Sequence, residues 1–218
     1  MKKYLNKILI LKEFSWIVVG QIASVIGMLV LVRLQTEFLS PTEYGYLTLG
    51  LTIVVLFNQT LVGGLSSGFA RFLCIAIDNG KILHYMKACN SLMILAFLFS
   101  ALVFSTLGVF ISYAIELPSN KFLFIILLFS LSNNYNSSTN SIQNAARNRS
   151  IVALNSSSEV WLKVVCALML LYFFENKLES VVYSYLISSI IINFLQGYFL
   201  RKKLVLKMRE VLLQFDSK

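Results

Sequence analysis

The sequence predicts an all-α, polytopic membrane protein with six transmembrane helices. Hydrophobic residues make up 57% of the 218 residues and charged residues only 13%. This composition, with a positive mean hydropathy, is typical of integral membrane proteins rather than soluble domains. Apolar segments of about twenty residues, the length that crosses a bilayer as a helix, recur along the chain. A third observation, the distribution of lysine and arginine, indicates how many of them cross.

Six segments are candidate spans. Five are strongly apolar over their length, whereas in the fourth only residues 122–131 are strongly apolar. Residues 132–141, which follow, are polar or tyrosine and do not resemble a lipid-facing helix. The six segments are residues 14–34, 46–68, 89–115, 122–143, 151–174 and 181–200.

Charge asymmetry favours a crossing by the polar fourth segment, because lysine and arginine accumulate in cytoplasmic loops. With six spans and a cytoplasmic N-terminus, fifteen lysines and arginines lie on the cytoplasmic side and three lie outside. Without the fourth crossing, the count becomes eight inside against ten outside. We therefore predict six spans, both termini in the cytoplasm, and short loops such as residues 35–45.

The net charge of +9 requires no nucleic-acid partner, because the basic residues have no folded soluble face on which to lie. These residues orient the chain and attract anionic membrane lipids. Residues 1–200 are expected to form one transmembrane lobe. Residues 201–218 are expected to form a basic amphipathic tail, which either rests on the inner leaflet or docks another domain.

The residues of catalytic chemistry are scarce. His84 is the only histidine, and Asp78 and Asp216 are the only aspartates. Such a chain offers no metal cluster, no Ser-His-Asp set and no Asp-x-Asp sugar-nucleotide site, and it has no P-loop. The sequence therefore predicts a protein that is not an enzyme and uses neither a metal nor a cofactor.

Polar side chains occur near the centre of five spans, whereas the third span is almost pure hydrocarbon. If the polar groups converge, they line a water-filled path at the membrane midplane. Alternatively, the amides join helices, and Glu159 and Lys163 form a local i,i+4 ion pair. The fourth and fifth spans each carry such residues on one helical face. The fourth-span face comprises Asn133, Ser137, Asn140, Asn144 and Arg147, the fifth-span face Asn155, Glu159 and Lys163, and the other midplane residues are Gln21, Ser24, Asn58, Gln59, Asn193 and Gln196.

Cationic residues near this path suit a phosphate. Arg71 and Arg147 close the cytoplasmic ends of the second and fourth spans, and Lys163 lies deeper. Arginine forks bind phosphate oxygens, and a wall of hydroxyls and amides suits a sugar, so an anionic, sugar-bearing lipid fits both features. The positive-inside rule is the alternative explanation of the arginines, and the preferred one for Arg149. Glu159 is alternatively a proton or cation site that couples transport to an ion gradient.

Small residues at four-residue spacing occur in the first two spans. Such pairs either bring helices close together or occur by chance, since small residues are common in membrane helices. The pairs are Gly20 with Ser24, Ala23 with Gly27, Gly63 with Ser67, and Gly64 with Gly68.

Several short motifs follow one another in a characteristic order. Gly20-Gln21 lies early in the first span, Leu39-Ser40-Pro41-Thr42-Glu43-Tyr44-Gly45-Tyr46 precedes the second, and Gly63-Gly64-Leu65 leads to Arg71-Phe72. A basic turn at residues 143–149 precedes the fifth span. Together with the hydropathy rhythm of the whole chain, these motifs resemble the start of polysaccharide (O-antigen) flippases. Those are the Wzx-like members of the multidrug/oligosaccharidyl-lipid/polysaccharide (MOP) exporter superfamily.

The resemblance implies the amino-terminal lobe of a MATE-like transporter. It implies translocation of an undecaprenyl-pyrophosphate-linked oligosaccharide across the bacterial inner membrane, for lipopolysaccharide O-antigen, capsule or exopolysaccharide synthesis. Family members alternate access between two such lobes, so we expect a truncated product, half of a split transporter, or a lobe that pairs with itself. Expected pyrophosphate contacts are Arg71, Arg147 and Lys163, and expected substrate contacts also include Asn133, Asn140, Gln143, Asn58 and Gln59.

Two other functions remain open. One is a small-molecule exporter of the same superfamily, which needs a more apolar and aromatic cavity than these amides provide. The other is a non-transporting membrane scaffold that holds polysaccharide-assembly enzymes through a basic cytoplasmic surface.

Overall fold

The chain folds almost entirely into helices. The computed structural model describes residues 2–114, 120–146 and 149–215, with side chains at 15–60, 62–73, 75–77, 79–82, 84–103, 106, 121–146 and 149–198. No strand occurs among these residues, which confirms the all-α class. The helices are α1 (Lys2–Phe38), α2 (Pro41–Phe57), a π-helical turn (Asn58–Val62), α3 (Gly63–Asp78), α4 (Ile82–Ala114), α5 (Asn120–Ala145), α6 (Arg149–Phe173) and α7 (Lys177–Phe215).

Several of these helices can cross a membrane. Within the described ranges, four are long and apolar enough by length and composition, over Ser15–Phe38, His84–Val103, Arg149–Phe173 and Lys177–Tyr198. A fifth span results if Pro41–Thr60 and Gly63–Leu73, which meet at a bend of 43°, are counted as one. The chain is therefore a helical protein with four or five candidate membrane spans.

α5, which contains the polar fourth segment, is the central helix. It is continuous over 26 residues, about 39 Å at 1.5 Å per residue. Because half of it is polar, it is not among the helices that are apolar enough to count as candidate spans. α5 packs against α2, α3, α4, α6 and α7. Phe122 and Ile126 are buried in its apolar half, and Asn134 and Ser138 are buried in its polar half. The bundle therefore encloses the most polar helix of the chain.

The order of contacts gives the relative directions of α1, α2, α3, α5, α6 and α7. α1 is parallel to α6, and α5 is parallel to α7, because residues further along one helix contact residues further along the other. α2 and α3 are likewise parallel to α5, whereas α5 and α6 are antiparallel. A turn in which Gly80 has φ +66° joins α3 to α4. The pairs are Gly20–Ala153 and Gly27–Val160, Ser132–Ser189 and Asn140–Gln196, Gly50–Ile126 and Ser66–Ser138, and Asn136–Glu159 with Phe129–Lys163.

The first loop is shorter than its composition predicts. A loop was expected over residues 35–45, but α1 extends to Phe38 and α2 begins at Pro41. Ser40 caps α2: its hydroxyl accepts from the backbone N–H of Glu43, whose carboxylate accepts from the N–H of Ser40. This capping box, with proline at the first helical position, begins the helix five residues before the predicted apolar span.

The second predicted span is broken in the middle. Residues 46–68 were expected to form one helix, but five residues, Asn58–Val62, form a π-helical turn between α2 and α3. The predicted site residues Asn58 and Gln59 begin this turn. π-turns bend helices and occur often at functional positions.

Close packing of α1 on α6 depends on glycine. A Cβ added to Gly20 would lie 2.9 Å from the Cβ of Ala153 and 3.1 Å from its carbonyl oxygen. A Cβ on Gly27 would lie 2.9 Å from Val160. Of the two explanations of the small-residue spacing, close helix packing therefore applies to α1. In α3, by contrast, nothing lies within 4 Å of the Cβ positions of Gly64 and Gly68.

Replacement of Gly20 by leucine should destabilise the bundle. The side chain would meet the backbone of Ala153, so the helices must separate, and overpacking of this kind costs about 1–3 kcal/mol. The control, Gly64→Leu, enters open space and should change stability by less than about 0.5 kcal/mol. Thermal unfolding in detergent, followed by size-exclusion chromatography, measures both. Equal losses for the two variants would contradict the glycine-dependent α1–α6 contact.

Candidate functional site

A charged pair lies halfway along α6. The Nζ atom of Lys163 donates to Oε1 of Glu159 over 2.6 Å, and the two side chains are only 13% and 12% exposed. Glu159 lies ten residues from the start of α6, about 15 Å along its axis. Charges at such depth are costly unless they are paired and hydrogen-bonded. The pair is therefore the electrostatic centre of the site.

One amide bonds to the carboxylate, and two further amides bond to that amide. Asn136 of α5 donates from Nδ2 to Oε2 of Glu159 over 2.5 Å. The Oδ1 atom of Asn136 accepts from Gln196 of α7 at 2.5 Å and from Asn140 at 3.2 Å. Gln196 also donates to Oδ1 of Asn140 at 3.1 Å. The carboxylate on α6 is thus bonded, through one amide of α5, to a buried amide of α7.

Two aromatic rings lie beside the ammonium. The Nζ atom of Lys163 is 5.8 Å from the ring centroid of Phe129 and 5.2 Å from that of Tyr185. The rings meet edge to face, and Nε2 of Gln35 in α1 donates to the tyrosine hydroxyl over 2.9 Å. Cation–π contacts stabilise a cation away from water. In this conformation the charge of Lys163 is satisfied within the chain.

Two hydroxyls and one amide lie along α5 and α7 between the two aromatic rings and the residues that bond to the carboxylate. Ser189 donates to Oγ of Ser132 over 2.9 Å, and Asn193 donates to the backbone oxygen and Oγ of Ser132, both over 2.8 Å. These contacts join α5 to α7. We call the whole set the polar seam: Phe129, Ser132, Asn136, Asn140, Glu159, Lys163, Tyr185, Ser189, Asn193 and Gln196.

Several buried amide atoms have no hydrogen-bond partner among the described residues. In or beside the seam these are both amide atoms of Gln143 and one atom each of Asn155, Asn193 and Gln196; both amide atoms of Asn134, on the side of α5 that faces α3, are also without a partner. A buried amide without a partner costs about 1–3 kcal/mol, unless water or a ligand bonds to it. The chemistry of the seam therefore suits water, hydroxyls and other groups that donate and accept hydrogen bonds.

The seam contains only some of the residues predicted from the sequence. Glu159, Lys163 and Asn140 meet there, and Gln143 is buried one turn beyond Asn140 on α5. Asn133 is half-buried on α5, and Asn58 is half-buried at the π-helical turn. Gln59 and Arg71 are exposed on other helices. Arg147 lies outside the described residues.

Asn136 is the central residue that the sequence did not single out. It belongs to the polar stretch 132–141, and it shares a face with Asn140 and Gln143 through steps of four and three residues. The predicted face ran instead through Asn133 and Asn144, and Asn144 is exposed. Because nearly every residue of the stretch is polar, spacing alone did not select the buried face.

No group of three or more His, Cys, Asp and Glu side chains lies close enough to hold a metal ion within the part of the chain that the structure describes. Comparison of the chain with protein families, curated proteins and solved structures gives no match.

Removal of one charge of the buried pair should cost much more than removal of both. We expect Lys163→Met to lower the free energy of unfolding by about 3 kcal/mol, because Glu159 remains buried without its counter-charge. The double variant Glu159→Gln/Lys163→Met should recover at least half of that loss. Denaturant titration in detergent micelles provides the values.

A matched control exists in α1, where Arg33 and Glu37 have the same i,i+4 spacing. The Nε atom of Arg33 is 3.6 Å from the Oε2 atom of Glu37, and the two side chains are 80% and 58% exposed. Arg33→Met should therefore cost less than about 1 kcal/mol. The single variant Glu159→Gln completes the comparison. If the stability losses of Glu159→Gln and Lys163→Met add up to the loss of the double variant, the two charges are not coupled.

Proposed function

We propose that this chain is a six-span lobe of a flippase that moves a lipid-linked oligosaccharide across the bacterial inner membrane. One observation supports this most: a charged and amide-rich seam is enclosed among helices that are otherwise apolar. A protein that only anchors itself in lipid has no need of a buried ion pair and several unpartnered amides, which are expensive there. A polar substrate that must cross hydrocarbon does need such an environment.

Helix direction supports the count of six crossings, with α5 as the fourth. α1 and α6 run one way, and α2 with α3, α5 and α7 run the other way. α4 is antiparallel to α3, because residues 68–76 of α3 lie beside residues 85–92 of α4, and Leu65 lies beside residues 92–102. Both helices that adjoin α5 in sequence therefore run opposite to it, so α5 must cross if they cross. Its polar half is acceptable at membrane depth because neighbouring helices cover it. Six crossings put both termini on the same side of the membrane, and the lysine and arginine distribution favours the cytoplasmic side.

A groove next to the seam supports a glycan-bearing substrate. It lies between α5 and α7, has a volume of about 470 Å³, and is lined by Tyr135, Asn193, Phe194 and Tyr198 among others. Asn193 joins the groove to the seam through its bonds to Ser132. Tyrosine combines an apolar ring with a polar tip, and amides supply donors and acceptors, so such a lining suits the two sides of a sugar ring.

The ion pair supplies a mechanism for releasing the cation. While Glu159 is ionised, it neutralises Lys163 at 2.6 Å. Protonation of the carboxylate, or its capture of another cation, would remove this attraction and leave the ammonium available to an anionic headgroup. Under this proposal Glu159 is the coupling group, Lys163 contacts pyrophosphate deep in the lobe, and Arg71 and Arg147 contact it near the cytoplasmic end. Asn133, Asn140, Gln143, Asn58 and Gln59 remain the proposed substrate contacts.

The scaffold remains the second candidate, because the charges of the seam are paired with each other and Asn140 bonds within the chain. A scaffold needs the seam only to hold its helices together. The two functions therefore differ in what they demand of the seam: a scaffold tolerates an apolar replacement that keeps the fold, whereas a flippase does not.

Deletion of the gene in its own host, followed by complementation, tests the proposal. We expect deletion to abolish surface polysaccharide and to leave lipid-linked repeat units on the cytoplasmic leaflet, and the wild-type gene to restore the polymer. The Asn140→Leu gene should restore less than about a tenth of the wild-type amount at equal protein level, since loss of one transition-state interaction of about 1.4 kcal/mol costs tenfold. Asn90→Leu, which changes an exposed asparagine of α4, should restore it fully.

Unchanged polymer after deletion would reject both functions. Full restoration by Asn140→Leu, after loss on deletion, would favour the scaffold over the flippase.

A further inference from the structure

A second polar site lies on α6 between its first residue and Ser156, N-terminal to the ion pair. It is a groove of about 300 Å³ between α1, the C-terminal end of α5 and the first two turns of α6. Gln21, Asn144, Arg149 and Ser156 give it polar walls, while Ile17 and Val152 are apolar. Among the described residues, none provides a hydrogen bond or an ion pair to the side chains of Gln21, Asn144 or Arg149. The groove therefore presents one cation and two amides to whatever enters it.

The position of the groove along the helices corresponds to the lipid headgroups. α1 and α6 are parallel. The apolar segment of α1 begins at residue 14 and that of α6 at residue 151, so Ile17, Arg149 and Val152 of the groove lie within about 5 Å of these starting points at 1.5 Å per residue. The headgroup layer is about 5–8 Å thick on each side of the hydrocarbon, so a phosphate can reach Arg149 while the ester groups and first methylenes lie toward Ser24 and Ser156.

The surroundings distinguish a lipid from a soluble phosphate compound. Beside the groove, α1 exposes Val18, Ile22 and Val25, three apolar side chains at helical spacing. An acyl chain can lie along that surface while its headgroup is in the groove. The guanidinium of Arg149 suits a phosphodiester, with which it forms two parallel hydrogen bonds, and the amides of Gln21 and Asn144 suit glycerol and ester oxygens.

We propose that this groove binds one anionic membrane phospholipid, with its phosphate on Arg149 and an acyl chain along α1. The proposal does not depend on the flippase function, because no residue of the polar seam lines the groove. It gives Arg149 a binding role in addition to its place in the charge asymmetry.

Native mass spectrometry of the purified protein in detergent tests the site. The protein is titrated with phosphatidylglycerol and with phosphatidylcholine of the same acyl chains. We expect the wild type to bind the first phosphatidylglycerol about tenfold more tightly than phosphatidylcholine, because the choline ammonium offsets the phosphate charge beside Arg149, whereas phosphatidylglycerol is net anionic. Arg149→Gln should abolish the preference. Lys87→Gln should keep it, because Lys87 is an exposed cation near the start of α4, away from the groove.

Two results would overturn the proposal: an unchanged preference in Arg149→Gln, or equally tight binding of glycerol 3-phosphate, which has no acyl chain. If Arg149→Gln does not yield folded protein, Gln21→Leu provides the same test. A lower affinity of that variant for the first phosphatidylglycerol supports the site, and an unchanged affinity rejects it.

Discussion

The polar half of α5 cannot face hydrocarbon, and the arrangement of the other helices follows from that constraint. Amides without partners are costly in an apolar medium, so neighbouring helices must cover and bond to them. α2, α6 and α7 pack around the N-terminal half of α5, and α3 and α4 pack near Ile142 at its other end. The apolar helices α1 and α4 are left at the periphery, where Leu29 and Leu98 are among the most exposed side chains.

The ion pair also needs hydrogen bonds from neighbouring helices. Glu159 and Lys163 belong to one helix, so the bond between them does not join helices. The second carboxylate oxygen of Glu159 does, because it accepts a hydrogen bond from Asn136 of α5, which in turn accepts one from Gln196 of α7. A local pair, which the sequence spacing alone can form, thus becomes the centre of contacts among three helices.

Sequence patterns predicted the helical class and the approximate positions of the four or five candidate spans, and they offered the local pairing of Glu159 with Lys163 as the alternative to a water-filled path. These features depend on hydropathy and on i,i+4 spacing, which are local. The buried face of α5 was not predictable, since residues 132–141 offer polar side chains in every direction and tertiary packing selects Asn136. The early start of α2 follows from the capping box of Ser40 and Glu43, which is visible in the sequence but was assigned to a loop. The π-helical turn at Asn58–Val62 has no local signature that we recognise.

The two interfaces of α6 differ in how easily they can open. Against α1 it is held by direct backbone approach, since Gly20 leaves no room beside Ala153, and separation there would lose dispersion contacts that nothing replaces. Against α5 it is held by the hydrogen bond from Asn136 to Glu159, for which water or another hydroxyl can substitute, whereas Val164 and Ala167 pack in an apolar cluster with α7. A polar molecule can therefore enter between α6 and α5 at small net cost, whereas α1 must move together with α6. The contact between α5 and α6 in the seam can therefore open more easily than the contact between α1 and α6 at Gly20 and Gly27.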